Sequence, residues 1–253
     1  TLFDVYSVGL LAEQLFPGYV ACATPGHRVL KGIIFDESLA DPFVLRLEER
    51  RKDADFIEVY GRIHSTAPNG RERYHYEGTV ELRPALPAAP VLEHVDLSER
   101  DPIDGPELYR NGICFHGPLL QGIDRVLNSS PTGLTLRCVM PQWTERDQGQ
   151  FPIQTTNQYT LDVQSQGMLV WARLFRGMSG VPLRVERGES FRPIVPGDPF
   201  YATLTIRSQS ATSAVGDVVA HDQHGLVFSR LLGVEITLSE RLNAMFAHSV
   251  EAS

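Results

Sequence analysis

Residues 181–238 have the sequence VPLRVERGESFRPIVPGDPFYATLTIRSQSATSAVGDVVAHDQHGLVFSRLLGVEITL, and they repeat the plan of residues 29–82, VLKGIIFDESLADPFVLRLEERRKDADFIEVYGRIHSTAPNGRERYHYEGTVEL. Both stretches contain an apolar strand, a Pro-Phe pair that opens an alternating strand, and a turn at a glycine. Each ends on a strand with a Gly and a Val near its end, and each follows a helix candidate, at 6–15 and at 159–175. Two weakly similar copies of one helix-plus-sheet unit predict a duplicated domain.

The segment between the two copies has a different composition. Residues 84–106 are rich in proline, which argues against regular structure and is typical of a linker. We therefore predict a first unit at 1–84, a proline-rich linker at 85–106 and a second unit at 107–253. A long segment precedes the helix of the second unit and almost nothing precedes that of the first. We accordingly expect the N-terminal part of the first unit to be missing from this sequence.

The hydrophobic pattern within each unit predicts the fold class. The helix at 2–16 is apolar on most sides, so we expect it to be buried. Residues 43–48 and 56–64 alternate between apolar and polar, as half-buried strands do, and Asn69-Gly70 marks a hairpin turn after them. A long apolar helix wrapped by a curved antiparallel sheet is the hot-dog arrangement. We therefore predict an α+β fold with two hot-dog units in tandem.

Composition and charge restrict the partners that we expect. The formal net charge is −8 and no basic patch stands out, so we expect neither nucleic acid nor an anionic membrane surface as a partner. No apolar run has the length of a membrane span, and residues 1–20 lack the basic start of a signal peptide. Three widely spaced cysteines, Cys22, Cys114 and Cys138, fit a reduced cytoplasmic setting. Neither cysteines nor histidines have metal-ligand spacing, so we expect no metal site.

One ionisable side chain, Asp162, lies within the apolar second helix. Such a group costs free energy unless it is paired or has a function. Gln166 follows four residues later and therefore lies on the same helix face. Burial raises the pKa of a carboxyl, as a general acid requires. The pattern leaves two alternatives: Asp162 is a general acid, or it lies at the solvent edge or satisfies a buried backbone group.

A second candidate is the run FHGPLLQG, from Phe115 to Gly122. Gly117 and Pro118 give a fixed bend, and His116 beside this bend is a candidate to face a cavity. A single histidine is equally compatible with a structural or an exposed position. The sequence contains no Gly-x-Ser-x-Gly nucleophile motif and no glycine-rich phosphate loop.

Together these two motifs resemble a known family. FHGPLLQG and the Asp162-x-x-x-Gln166 pair resemble the motifs in the C-terminal hot-dog of polyketide-synthase dehydratase domains, and the resemblance extends in order over essentially the whole chain. More narrowly, FDVYSVGLLAEQLFPGY at 3–19 and GQFPIQTTNQYTLDVQSQGMLVWAR at 149–173 resemble the dehydratase-like region at the end of bacterial polyunsaturated fatty acid synthase subunits. There the region would lie downstream of a ketoreductase.

The resemblance implies a reaction and a role for each motif. It implies dehydration of 3-hydroxyacyl chains to trans-enoyl thioesters, with the chain carried on the phosphopantetheine arm of an acyl carrier protein and no other cofactor bound. Asp162 would protonate the leaving hydroxyl and Gln166 would orient it. The substrate pocket would be shaped by four residues, Phe115, His116, Gly117 and Pro118. Neighbouring synthase domains such as the ketoreductase would be partners, and the resemblance is compatible with a homodimer.

The sequence departs from the family pattern in one respect. The family's His-x-x-x-Gly-x-x-x-x-Pro motif, whose histidine removes the α-proton, does not occur. Either its residues precede Thr1, or the first unit has lost the histidine. Three hypotheses follow: a working dehydratase, a catalytically inactive pseudo-dehydratase that binds acyl chains or scaffolds a synthase, and a dehydratase in which His116 acts as the base opposite Asp162.

Overall fold

A computed structural model describes residues 3–33, 42–67, 69–148, 155 and 157–251, with the side chains of 3–7 and 247–251 left aside. The start of the 149–173 motif and the stretch at 34–41 lie outside the described residues. The strands are β1 Val20–Val29, β2 Val44–Lys52, β3 Ile57–Thr66, β4 Glu72–Arg83, β5 Ile103–Asp104, β6 Ile123–Ser130, β7 Gly133–Val139, β8 Ser179–Ser190, β9 Pro199–Gln209, β10 Ser213–His221 and β11 Val227–Ser239. The helices are α1 Phe3–Leu15, α2 Gly105–Arg110, α3 Glu145–Gln148, α4 Gln158–Arg176 and α5 Arg241–Glu251.

The described strands form one antiparallel sheet of eleven strands, in the order β2-β3-β4-β1-β8-β11-β10-β9-β7-β6-β5. The two predicted units therefore share one extended sheet. They meet where β1 pairs with β8, from Ala23 opposite Glu189 to Arg28 opposite Arg184. The alternating burial along β3, β4, β10 and β11 shows that one face of the sheet covers the core.

Each predicted unit contains one helix packed against the sheet. Helix α1 lies on β1 and β4, and helix α4 lies on β8, β10 and β11. The side chain of Asn157 caps α4 by accepting hydrogen bonds from two backbone N–H groups, as expected at a helix start. At the other end Gly177 has a φ of 64°, the left-handed conformation that favours glycine.

The prediction of long apolar helices is not borne out. Within the described residues the helices are few and short, and only α1 and α4 exceed eleven residues. Helix α4 also buries many polar side chains. The sheet supplies partners for them: the Gln164 amide donates to the carbonyl of Val218 at 2.8 Å and accepts from the Ser229 hydroxyl at 2.9 Å. Polar side chains are tolerated in this helix because such partners offset the cost of burying them.

The segment that joins the units runs irregularly as far as residue 102. Ile103 and Asp104 then form β5, and α2 begins at Gly105. The irregular part is nevertheless attached to the second unit, because the amide of Leu92 donates to the carbonyl of Gly225 at 2.8 Å. Within the part of the chain that the structure describes, no helix is long and apolar enough to cross a membrane.

Candidate functional site

The predicted bend holds the side chain of His116 against the core. Pro118–Leu120 form one turn of 3-10 helix, and the side-chain amide of Gln121 donates to the carbonyl of His116 at 3.0 Å. Gly117 and Pro118 are exposed at the outer side of this bend. The bend therefore directs the His116 side chain inward, where only 5% of it is exposed.

Asp162 lies on the inner face of α4 and is 2% exposed. Gln166, one helical turn later, donates from Nε2 to Asp162 Oδ2 at 3.2 Å and to the carbonyl of Leu120 at 3.0 Å. The alternative that placed Asp162 at the solvent edge is therefore wrong. Since the carboxyl is bonded to a side chain, its position is fixed by Gln166 and through it by the bend.

The two sequence motifs meet at one pair of atoms. His116 Nε2 lies 3.3 Å from Asp162 Oδ2, and both side chains are almost fully buried. The Nδ1 atom of His116 is buried without a hydrogen-bond partner. Burial lowers the pKa of His116, and the Asp162 carboxyl opposes part of this shift. The imidazole is therefore neutral near pH 7, with a lone pair that can accept a proton.

A cavity of about 430 Å³ opens beside this pair. Its walls are mostly apolar side chains and come from both predicted units and from α5. They are Val29, Gly32, Ile33, Tyr76, Phe115, His116, Asp162, Ser165, Leu169, Val181, Pro182, Met245 and Phe246. An apolar cavity with a few converging polar groups is the usual form of a site for a small or acyl ligand.

Aromatic rings connect His116 to the C-terminal helix. The ring of Phe115 stacks on that of His116 with centroids 4.6 Å apart, and it packs against Phe246 of α5 at 4.0 Å. Asn243 attaches the start of α5 to the end of α4, accepting from the amide of Ser179 and donating to the carbonyl of Gly177. Helix α5 therefore closes one wall of the cavity.

Sequence reasoning missed three residues of the site. The hydroxyl of Tyr109 donates to Gln166 Oε1 at 2.9 Å and accepts from the amide of Ile123. Tyr76 and Phe246 line the cavity from distant parts of the chain. The alternation of β4 signals that Tyr76 points inward, whereas nothing in the sequence identifies Tyr109 or Phe246 as neighbours of Asp162.

The structure places the other predicted residues at different distances from the cavity. Phe115 and His116 line it, whereas Gly117 and Pro118 are not among the described lining residues and act by setting the bend. The thiol of Cys114 is buried, which raises its pKa and keeps it protonated. Among the described residues, no group of three His, Cys, Asp or Glu side chains could hold a metal ion.

Solved structures with the same architecture come from one kind of domain. A dehydratase domain of a trans-AT polyketide synthase from Brevibacillus brevis superposes with a TM-score of 0.71, covering 94% of this chain and 85% of that one, at 15% identity. The fold is that of polyketide-synthase dehydratase domains. The dehydratase domain from the CurF module of curacin polyketide synthase gives a TM-score of 0.69 at 15% identity, covering 94% and 82% of the two chains. That of RzxB from Pseudomonas fluorescens gives 0.64 at 12% identity, covering 89% and 80%.

A sequence relationship points in the same direction. A polyunsaturated fatty acid synthase polypeptide of Thraustochytrium sp. is 29% identical over 225 residues, which are 86% of this chain. The chain spans about 8% of the length of that relative. No protein-family model matches the sequence. The resemblance to the dehydratase hot-dog domains of polyketide and polyunsaturated fatty acid synthases, predicted from the two motifs, is thereby confirmed.

Proposed function

We propose that this dehydratase-type domain removes water from 3-hydroxyacyl chains and yields trans-enoyl thioesters, within a polyketide or polyunsaturated fatty acid synthase. The observation that carries this proposal is the buried carboxyl of Asp162, oriented by Gln166 at the wall of an apolar cavity. A dehydratase needs an acid beside the C3 hydroxyl and an apolar space for the acyl chain, and this arrangement supplies both.

The roles of the site residues follow from their positions. Asp162 is the general acid: it donates a proton to the C3 hydroxyl, which leaves as water when the C3–O bond breaks. The Gln166 amide holds the carboxyl by donating to Oδ2, so the proton-bearing oxygen faces the cavity. Phe115 and His116 form the wall beside the reacting carbons, and the bend at Gly117-Pro118 fixes them there.

The acyl chain arrives from a carrier in this proposal. A phosphopantetheine arm of an acyl carrier protein delivers the thioester, and neighbouring domains of the synthase, such as a ketoreductase, produce the 3-hydroxyl group. Neither a metal nor a redox cofactor is needed, since dehydration involves only proton transfers and loss of water. We propose a cytoplasmic protein, with a homodimer as its assembly.

A mass-spectrometric assay tests this function. The protein is incubated with a 3-hydroxyacyl carrier protein, and loss of water from the acyl chain is measured beside the Asp162→Asn variant. The expected result is dehydration by the natural protein and a loss of about 100-fold or more in the variant. An Asp162→Asn variant with an unchanged rate would show that the acid has been assigned to the wrong residue.

The second candidate function is acyl binding or scaffolding without catalysis. It is favoured by what the first unit contributes to the cavity: Val29, Gly32, Ile33 and Tyr76, with no histidine or carboxylate among its described lining residues. In this case the natural protein would bind an unreactive acyl carrier protein analogue, and the analogue would compete with no measurable turnover. Water loss abolished by Asp162→Asn would end this candidate.

A further inference from the structure

The second unit brings together two proton-transferring groups without help from the first. Asp162 comes from α4 and His116 from the bend after α2, and their facing atoms lie 3.3 Å apart. Both side chains line the same cavity. A base and an acid that act on adjacent carbons of one substrate must be this close to each other, since C2 and the hydroxyl on C3 are neighbours.

The surroundings suit a histidine that accepts a proton. The imidazole is buried and packs flat against the ring of Phe115, and its Nε2 atom faces the carboxyl. The free Nδ1 has no hydrogen-bond partner among the described residues. A purely structural histidine in such a place normally has partners for its ring nitrogens. The position of Nε2 is therefore explained better by a reaction than by packing.

We propose that His116 is the base of the reaction and that Asp162 and His116 form a same-side acid–base pair. This inference rests on the proposed dehydratase function and adds the residue that removes the C2 proton. It makes the second unit the carrier of both halves of the chemistry, where the family pattern divides them between two units.

The step balances without a co-reactant. The C2–H bond breaks and its proton goes to His116 Nε2, while its electron pair forms the C2–C3 double bond. The C3–O bond breaks and the hydroxyl leaves as water with the proton from Asp162. His116 is then an imidazolium and Asp162 a carboxylate. Opposite charges at this distance attract strongly in a water-poor site.

The same contact restores the site. Direct transfer of the proton from Nε2 of His116 to Oδ2 of Asp162 returns both groups to their starting states, and release of the water and the enoyl thioester completes the cycle. A base on a separate unit would instead exchange its proton with solvent. The close approach of the two atoms therefore serves turnover as well as the chemical step.

The test compares two substitutions of His116 with a matched control. His116→Gln removes the base and keeps a polar side chain, and His116→Phe removes it and keeps an aromatic ring against Phe115. His94→Gln changes an exposed histidine of the linker. Dehydration of a 3-hydroxyacyl carrier protein is measured together with binding of its unreactive 3-deoxy analogue and with thermal melting. A folded second variant keeps the test valid if one of the two fails to fold.

Three results are distinguishable. A loss of about 100-fold or more in both variants, with the analogue bound as before and His94→Gln unaffected, supports the proposal. Added imidazole should then restore part of the rate in His116→Gly, which a structural role would not produce. Dehydration within about fivefold of the natural rate in either folded variant overturns His116 as the base and leaves the proposed function standing. An inert natural protein that binds the analogue overturns both.

Discussion

The hydroxyl of Tyr109 donates to Oε1 of Gln166 at 2.9 Å, and this hydrogen bond decides which end of the amide faces Asp162. With its oxygen held by Tyr109, Gln166 presents its NH₂ group to Asp162 Oδ2. The same hydroxyl accepts from the amide of Ile123, so one oxygen atom joins α2, α4 and β6. Tyr109 is therefore a positioning residue for the carboxyl.

Replacing Tyr109 with Phe should affect rate and stability together. Loss of one hydrogen bond that orients Gln166 should lower kcat by about 2- to 10-fold, with KM little changed. Because the Ile123 amide loses its acceptor, unfolding free energy should fall by about 1–3 kcal/mol. Steady-state kinetics and urea unfolding measure the two effects. Tyr19→Phe is the control, since its hydroxyl bonds the carbonyl of Ala54 at the surface, and an equal effect there would contradict the assignment.

Leu169 should set the length of acyl chain that the cavity accepts. It lines the cavity and is 5% exposed. Leu169→Phe narrows the space, so kcat/KM should fall about 10-fold more for a 3-hydroxydecanoyl than for a 3-hydroxybutyryl substrate. Competition between the two carrier-bound substrates measures the ratio. Leu174→Phe, on the exposed side of the same helix, should leave the ratio as it is. An unchanged ratio in Leu169→Phe would place the acyl chain elsewhere.

His27 should make the protein less stable in acid. It lies in β1, is 1% exposed, and burial lowers its pKa from 6.5 to about 4. Between these two values the unfolded chain binds a proton that the folded chain does not. Stability is therefore complete above pH 6.5 and falls by roughly 3 kcal/mol as the pH drops to about 4.

Urea unfolding near pH 7 and near pH 4.5 measures this dependence. His27→Gln should flatten it, because the variant lacks the proton-binding group, whereas His94→Gln should not. His116 and His221, whose pKa values are also lowered by burial, add to the acid sensitivity in the same direction. A pH dependence that is the same in His27→Gln as in the natural protein would show that His27 is not buried in its neutral form.

Glu13 should stabilise the contact between the two predicted units. Its carboxyl is 2% exposed, accepts from the amide of Ala21 at 2.8 Å and reaches the amide of Thr155, ahead of α4, at 3.4 Å. Glu13→Leu leaves a buried amide without its acceptor, so unfolding free energy should fall by about 1–3 kcal/mol. Glu93→Leu, in the exposed linker, should change it by less than about 0.5 kcal/mol. Equal unfolding curves for the two variants would refute this role.

The sequence predicted the local parts of the site well. Asp162 and Gln166 are four residues apart on a helix, and a helix places such residues side by side, so their hydrogen bond could be anticipated. The strands and the hairpin at Asn69-Gly70 likewise follow from alternation and turn chemistry. These features depend on neighbours in the sequence, which is why a single chain reveals them.

Contacts between distant segments could not be predicted in the same way. The approach of His116 to Asp162 depends on how the bend packs against α4, and the donor that orients Gln166 comes from α2. Helix α5 and its Phe246 carry no motif at all. The expectation of long apolar helices failed for a related reason: the sheet provides hydrogen-bond partners for polar side chains of α4, such as Gln164, and these partners are invisible in the helix's own sequence.

The pairing of β1 with β8 has a consequence for synthesis on the ribosome. Residues 23–28 and 184–189 lie more than half of the chain apart, so β1 leaves the ribosome long before its partner does. Until β8 arrives, one side of β1 is an open strand edge that can recruit other nascent chains. Contacts so distant in sequence also form slowly. The first half of the polypeptide is therefore the part most in need of protection by chaperones during translation.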